Sequence, residues 1–397
     1  MRNWQLVKIK ELCEVTSSKR IYAADYVSTG VPFYRGKEIT ERHKGNLNVS
    51  TELFISEEKF EEIKSKSGVP SDGDLLLTSV GTIGSVYVVK PNDRFYFKDG
   101  NIVWFRKLSS LDSFYLYYWL CSPSGKAELR KATIGSSQPA LTIVLLKEME
   151  IDLPPLPTQR KIAAILSAYD DLIENNLRRI KILEEMAQNL YREWFVKFRF
   201  PGYENAKFVD SPLGMIPEGW AVRRMEEVLS LRYGKALKKD DRNGGDIPVY
   251  GSSGVVGYHD TSLSSGPGII VGRKGNVGSV FWSEKDFFVI DTAYYVESEM
   301  PLIFLYYDLQ GKNFLNNDAA VPGLSRNQAY SLPMIVPPAN LLSLFSSYAK
   351  NIVDGVHNRS RQNDILRKSR DLLLPKLVSG EVDVSDLDIE VPEGGIE

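Results

Sequence analysis

Three histidines, His43, His259 and His357, are the chain's candidates for proton transfer at neutral pH. They stand far apart in sequence and lack the spacing of metal ligands. Cys13 and Cys121 make neither a disulfide framework nor a zinc signature. The run "GRKGNVG" at 272–278 has the glycines of a phosphate-binding loop, but it lies between β-like runs and reads as a hairpin. An adenine methyltransferase would want Asn or Asp and then an aromatic around its proline pair. Here the pairs Pro154-Pro155 and Pro337-Pro338 follow Leu153 and Val336. Lys98 and Asp99 resemble fragments of a nuclease site, but scattered carboxylates of this kind are commonplace. No nucleophile elbow, Walker loop or zinc pattern is present. This inventory describes a chain that performs no catalysis by itself and holds no metal or cofactor of its own.

The elements that would position a site come in two copies. "WQLVKIKEL" from Trp4 and "WAVRRMEEV" from Trp220 are 216 residues apart, as are "VPFYRG" from Val31 and "IPVYGS" from Ile247. "LTSVGTIGSV", ending at Val86, and "VGRKGNVGSV", ending at Val280, are 194 apart. "QPAL" and "VPGL", ending at Leu141 and Leu324, are 183 apart, and the proline pairs keep that interval. Five ordered matches identify an internal repeat, and the shrinking interval implies loop deletions in the second copy. Each copy is a mixed region followed by a long amphipathic run. "SVYVV" and "GSVFW" read as strands, whereas 111–122 and 300–310 read as helices. The fold class is therefore α+β, as two domains related by a repeat. The Pro- and Gly-rich stretch 200–220 links the halves.

The amphipathic runs have a period of 3.5. From Ile162 the seam passes Leu166, Tyr169, Ile173, Asn176, Ile180, Leu183, Ala187, Leu190 and Trp194. Adding 183 gives a second seam from Phe345 to Leu377, with Arg359, Asn363 and Arg370 among its members. This spacing predicts two long helices, the first over about 159–196, N-capped by Thr158 and Asn340. A seam that long needs a partner. The other helix is the economical one, in antiparallel pairing. Asn176 either faces solvent at a loosened point or fixes register.

Composition permits this reading and narrows it little. The 397 residues are 43% hydrophobic and 25% charged, as in an ordinary globular protein. No apolar run approaches a membrane span, and "MRNWQLVKIK" carries no apolar signal region, so the expectation is a cytoplasmic protein away from membranes. The net charge is −2, but 381–397 holds seven acidic residues and no Lys or Arg. Without that tail, 49 cations stand against 44 anions, a balance of +5 that suits DNA binding without establishing it.

"DLPPLPTQRKIAAILSAYDDLIENN", "FVDSPLGMIPEGW" and "LLLPKLVSGEV" resemble the specificity subunit of type I restriction-modification enzymes. The resemblance spans essentially the whole chain. It implies a first target recognition domain at 1–152 and a spacer helix at 153–200. A linker and second recognition domain follow at 201–335, then a second spacer helix at 336–380 and the acidic tail at 381–397. It further implies that each domain reads one half of a split double-stranded DNA site. The helices would form an antiparallel spacer that docks two methyltransferase subunits, joined by restriction-translocase subunits. S-adenosylmethionine, ATP and magnesium would belong to those partners. Two alternatives stay open: a self-contained methyltransferase or nuclease, which the missing motifs disfavour, and a scaffold that holds proteins and not DNA.

Base readout needs directional donors and acceptors, and affinity needs cations for phosphates. Loop positions matched by the repeat are the candidates. In the first domain they are Lys19, Arg20, Tyr34, Arg35, Lys37, Ser79, Thr82, Ser136 and Gln138. In the second they are Arg232, Tyr233, Lys235, Tyr250, Ser252, Ser253, Arg273, Lys274, Asn276 and Arg326. Any single one of them is more often a solvated turn residue, and Tyr34 and Tyr250 are equally readable as core residues. Arg273 and Lys274 stand out, since a tip flanked by Gly272 and Gly275 can approach a duplex closely.

Overall fold

The computed structural model describes residues 4–46, 49–135, 137–314 and 323–391. The chain forms two compact units, Met1–Leu177 with Ser360–Glu397, and Arg178–Arg359. Each unit holds one globular half and a stretch of both long helices.

In the first unit, strands Glu14–Thr16, Ile102–Arg106, Leu75–Thr78 and Val86–Val88 form an antiparallel sheet in that spatial order. Its inward residues are apolar at nearly every position, and Leu75, Leu77 and Phe105 are fully buried. A second sheet contains the parallel pair Val31–Tyr34 and Tyr96–Phe97, and Gln5–Lys8 pairs with Glu150–Leu153. The helix Ser113–Cys121 starts on the side-chain cap of Asp112 and buries Tyr115, Leu116 and Trp119.

The second unit repeats this frame. Ser230–Tyr233, Ala293–Glu297, Gly268–Gly272 and Val280–Ser283 form an antiparallel sheet of the same order. Ile247–Gly251 pairs in parallel with Phe288–Val289, and Ala221–Arg224 pairs with Pro333–Val336. The helix Leu302–Gln310 stands for Ser113–Cys121. The first step in the repeat interval is more than a loop deletion. Where the first unit carries helices Gly36–His43 and Glu57–Ser67, the second carries the hairpin of Ile247–Gly251 with Gly254–His259.

The long helices run over Leu156–Tyr191 and Ala339–Val378. Both begin before the expected caps, so Thr158 and Asn340 lie inside the first turn. Pro155 and Pro338 offer their carbonyls to the first helical N–H groups instead, at 2.8 Å for Thr158 and 3.1 Å for Leu341. The first helix continues beyond Tyr191 through a wide helical turn over Arg192–Val196, to the end that its periodicity suggests. That turn brings Trp194 and Phe195 onto Phe345, with centroids 6.0 and 4.9 Å apart.

All twenty seam positions are buried or half-buried. In the first unit the seams pair antiparallel. Asp170 meets Arg370, and the Asn176 amide donates to Asn363 Oδ1 at 3.0 Å. Asn363 is 1% exposed, and its own amide reaches the Ile173 carbonyl at 3.4 Å. The asparagine pair is thus a register device, because a slip of the helices would leave buried amides unsatisfied. In the second unit Tyr191 and Trp194 meet Phe345, again antiparallel. Ile162, Leu166, Leu374 and Leu377 complete the core of the first unit, and Ala187, Tyr191, Phe345 and Ala349 that of the second. Each large apolar side chain so placed contributes roughly 1.5–3 kcal/mol of burial. No helix among the described residues is long and apolar enough to cross a membrane.

Candidate nucleic-acid interface

In the second unit the sheet builds one end from three distant segments. Strand Gly268–Gly272 turns at Arg273 into the tip that returns as Val280–Ser283. Gly272 is required here, since a Cβ on it would meet the Asn276 carbonyl oxygen at 2.2 Å. Tyr233 ends the strand beside Tyr294. Arg326 opens the helix Arg326–Tyr330. These pieces converge on Tyr233, which is 46% exposed. The guanidinium carbons of Arg273 and Arg326 each lie 5.0 Å from its ring centroid. Tyr294 and Tyr330 support the same two cations at 5.7 and 5.9 Å.

A cation held by a π face is oriented without being neutralised, at a gain of about 0.5–1 kcal/mol at an exposed site. The two guanidiniums therefore stay available to a phosphate or to the O6 and N7 edge of guanine. Arg273 also donates to the Asp291 carbonyl at 3.2 Å, which fixes the fork further. Lys274 and Asn276 are exposed on the same tip, and Lys274 reaches Asp291 only at 4.0 Å.

The other expected residues divide. Ser253 and Lys235 are exposed, whereas Ser252 is half-buried against the tip and its carbonyl accepts from Ser279 Oγ at 2.6 Å. Arg232 lies on the same strand as Tyr233 but is ion-paired with Glu297 at 2.7 Å. Tyr250 is a core residue, 8% exposed, with its hydroxyl on the Trp282 carbonyl at 3.3 Å.

In the first unit the tip backbone is the same and its side chains differ. Ser79 N–H bonds the Asn101 carbonyl at 2.9 Å, as Arg273 N–H bonds Thr292 at 2.9 Å. The Ser79 carbonyl accepts from Leu141 at 3.0 Å, as Arg273 accepts from Leu324 at 2.8 Å. Val80 bridges Ala140, as Lys274 bridges Gly323. Thr82 and Gln138 are exposed around this tip, whereas Ser79 is buried with Oγ on the Gly100 carbonyl at 3.2 Å. Ser136 lies outside the described residues.

The cations of the first unit come from other segments. Arg20 sits 3.8 Å from Asp99 and 5.9 Å from the Tyr22 ring centroid, and Lys19 is exposed beside it. Arg35 precedes the helix Gly36–His43, with its N–H on Glu38 at 2.7 Å, and Lys37 is exposed in the first turn. Tyr34 is buried and stacked on Phe95 at 4.5 Å. The supporting rings Tyr22, Tyr294 and Tyr330 were absent from the sequence candidates. A signal existed for one of them, since Tyr294 faces Tyr233 whenever those two strands pair.

Against protein families, residues 1–185 and 217–373 match the type I restriction modification DNA specificity domain. Two relatives align over nearly the full chain. The MjaIX type I restriction enzyme specificity subunit of Methanocaldococcus jannaschii is 28% identical over 97% of this chain and 95% of its own. The putative MjaX specificity subunit of the same organism is 20% identical, over 96% and 94%. The crystal structure of a type I restriction-modification S subunit from M. genitalium superposes with a TM-score of 0.60 at 18% identity, covering 94% of this chain and 96% of that one.

Proposed function

The chain belongs to the family of type I restriction-modification DNA specificity subunits, and from that premise we propose that its two halves read the two unlike parts of a bipartite, asymmetric DNA site. The observation that carries this reading is the pair of hairpin tips with one backbone frame and different side chains. In the second half Arg273, Lys274, Asn276 and Arg326 contact the duplex. In the first, Thr82 and Gln138 supply the tip while Lys19, Arg20, Arg35 and Lys37 supply the charge.

The domain limits follow the repeat, with a recognition domain at 1–152 and the linker and second recognition domain at 201–335. The long helices between and after them set the gap between the half-sites and dock two methyltransferase subunits. Exposed Leu172, Ile182 and Met186 on one helix, and Tyr348, Ile365 and Leu372 on the other, offer apolar area for those partners. Restriction-translocase subunits join the assembly, in the cytoplasm. Methyl transfer and cleavage reside in the partners, and this chain supplies address and assembly.

Mapping of methylated adenines across a genome tests the reading. With this chain and its partners present, methylation should fall on one split motif with two different halves. Exchange of residues 217–335 for those of a relative should change one half only. A palindromic motif, or methyl transfer by the purified chain alone, would sink it.

A further inference from the structure

The second unit contains a cavity of about 450 Å³ between its recognition domain and its stretch of the long helices. Its walls include Tyr250, Phe281, Trp282, Tyr306 and Tyr307, with Glu184 and His357 among the polar groups. Glu284 stands beside it, accepting from Trp282 Nε1 at 2.5 Å and pairing with His357 Nδ1 at 2.9 Å.

The repeat shows what belongs in such a place. "YLYYWL" at 115–120 corresponds to "FLYYDL" at 304–309, so Tyr117 and Tyr118 stand for Tyr306 and Tyr307. Tyr34 stands for Tyr250, and Tyr87 for Phe281. The helix interval of 183 makes Asp170 the counterpart of Val353, and Arg370 that of Ala187, and both Val353 and Ala187 line the cavity.

In the first unit this space is filled by Arg42, His43 and Arg370. The Arg42 guanidinium lies 5.6 Å from the Tyr87 centroid and donates to the Tyr34 hydroxyl at 3.3 Å. The His43 ring packs edge-on to Tyr117 at 6.2 Å. Arg370 pairs with Asp170, which accepts from the Tyr118 hydroxyl at 2.6 Å. Arg42 and His43 sit on the helix Gly36–His43, which the second unit replaces with a hairpin. The second unit therefore keeps the aromatic walls and lacks three of the groups that occupy them. It has acidic groups of its own as well, since Glu184 stands where the helix interval puts Arg367 and Glu284 where the tip interval puts Lys90. Among the described residues no cation pairs with Glu184, and desolvation pushes its carboxyl upward.

We propose that this cavity is a docking pocket for an arginine side chain of a partner polypeptide, taking from another chain the guanidinium that the first unit supplies internally. The guanidinium stacks on Tyr306 and Trp282 and bonds to the carboxylates of Glu184 and Glu284. A planar fork matches both the rings and the carboxylates, where an ammonium matches only the charge. The inference is independent of the DNA-reading surface, and its test uses no DNA.

The test is a titration of the full chain, labelled with 5-fluorotryptophan, with Nα-acetyl-arginine amide. Its controls are the citrulline and lysine analogues, and the Trp282 resonance is assigned by Trp282→Phe. A saturable shift of that resonance is expected with the arginine probe, about tenfold stronger than with citrulline, and Glu184→Gln should remove most of that preference. The pair Ala187→Arg with Val353→Asp rebuilds the internal filling and should abolish the shift, while circular dichroism confirms that the variant stays folded. Equal responses to arginine and citrulline, no response to either, or an undiminished response in the folded double variant would each overturn the proposal.

Discussion

The tip 79–84 of the first unit and the tip 273–278 of the second share a backbone and almost nothing else. Both hold the same two cross-segment hydrogen bonds and the same bridge. Both place glycine at positive φ at equivalent positions, Gly81 and Gly84 in one and Gly275 and Gly278 in the other, with φ between 76° and 91°. Yet Ser79, Val80 and Thr82 occupy the places of Arg273, Lys274 and Asn276. The frame that holds the tip is built from main-chain groups, so its side chains can change without refolding it. A recognition protein built this way changes its target by exchanging side chains on a fixed support. The interiors differ in the same manner, with an ion network at Asp170 and Arg370 against Val353 and Ala187.

The largest effect is expected from breaking that network. Asp170→Ala leaves the Arg370 guanidinium and the Tyr118 hydroxyl without their shared acceptor. The pair is 26% and 30% exposed, so the cost should fall somewhat below that of a fully buried pair, at about 2–3 kcal/mol. Val353→Ala, at the matching place, should cost only about 1 kcal/mol. Urea unfolding measures both, and equal costs would mean that the two interiors are held in the same way.

The tips come next. Arg273→Ala with Lys274→Ala should weaken duplex binding about tenfold or more and reduce the salt slope by roughly 1–2. Val80→Ala with Thr82→Ala should change the slope little, because no cation is lost. A slope unchanged by the first pair would remove those residues from the interface. The reciprocal graft, Ser79→Arg with Val80→Lys, should fold and alter the bases preferred in the first half-site alone. Ser79 is the harder position, since its buried hydroxyl must give way, so Val80→Lys by itself is the control. A shift in the second half-site would contradict the assignment of one reader to each unit.

Much of this frame was legible in the sequence. Five ordered matches locate the repeat because they fall on turns and strand ends, where glycine, proline and buried residues are geometrically constrained. The helical seams were legible because period and length agree over ten positions. Their starts were not, because a proline carbonyl serves the first turn as well as a side-chain cap does. The short helices Gly36–His43 and Glu57–Ser67 carry too few apolar positions to announce themselves against a loop. The Arg273–Tyr233–Arg326 arrangement joins residues 40 and 53 positions from Arg273 in the chain, and only strand pairing makes them neighbours. Tyr34 and Tyr250 look like readers in sequence, since the composition of a turn does not say which side faces inward.

The smallest effect concerns a charge that the two units place differently. In the first, Glu14 receives Arg106 at 2.6 Å and Lys107 at 3.0 Å. Its counterpart in the second is Ser230, and there the facing carboxylate Glu297 takes Arg232 instead. Hydrogen bonds from Arg106 and Lys107 hold the Glu14 carboxyl at about 2, below its ordinary value of 4.5. A depressed carboxylate stabilises the folded state above its unfolded pKa. That contribution is lost as pH falls from about 4.5 toward about 2. Because the Glu14 side chain is 37% exposed, solvent screening limits the gain to at most about 1 kcal/mol. Glu14→Gln should therefore lower stability slightly at pH 7 and have almost no effect near pH 2. The difference between wild type and variant should narrow across that interval and shrink in high salt. A difference that stays constant with pH would assign the loss to packing and not to charge.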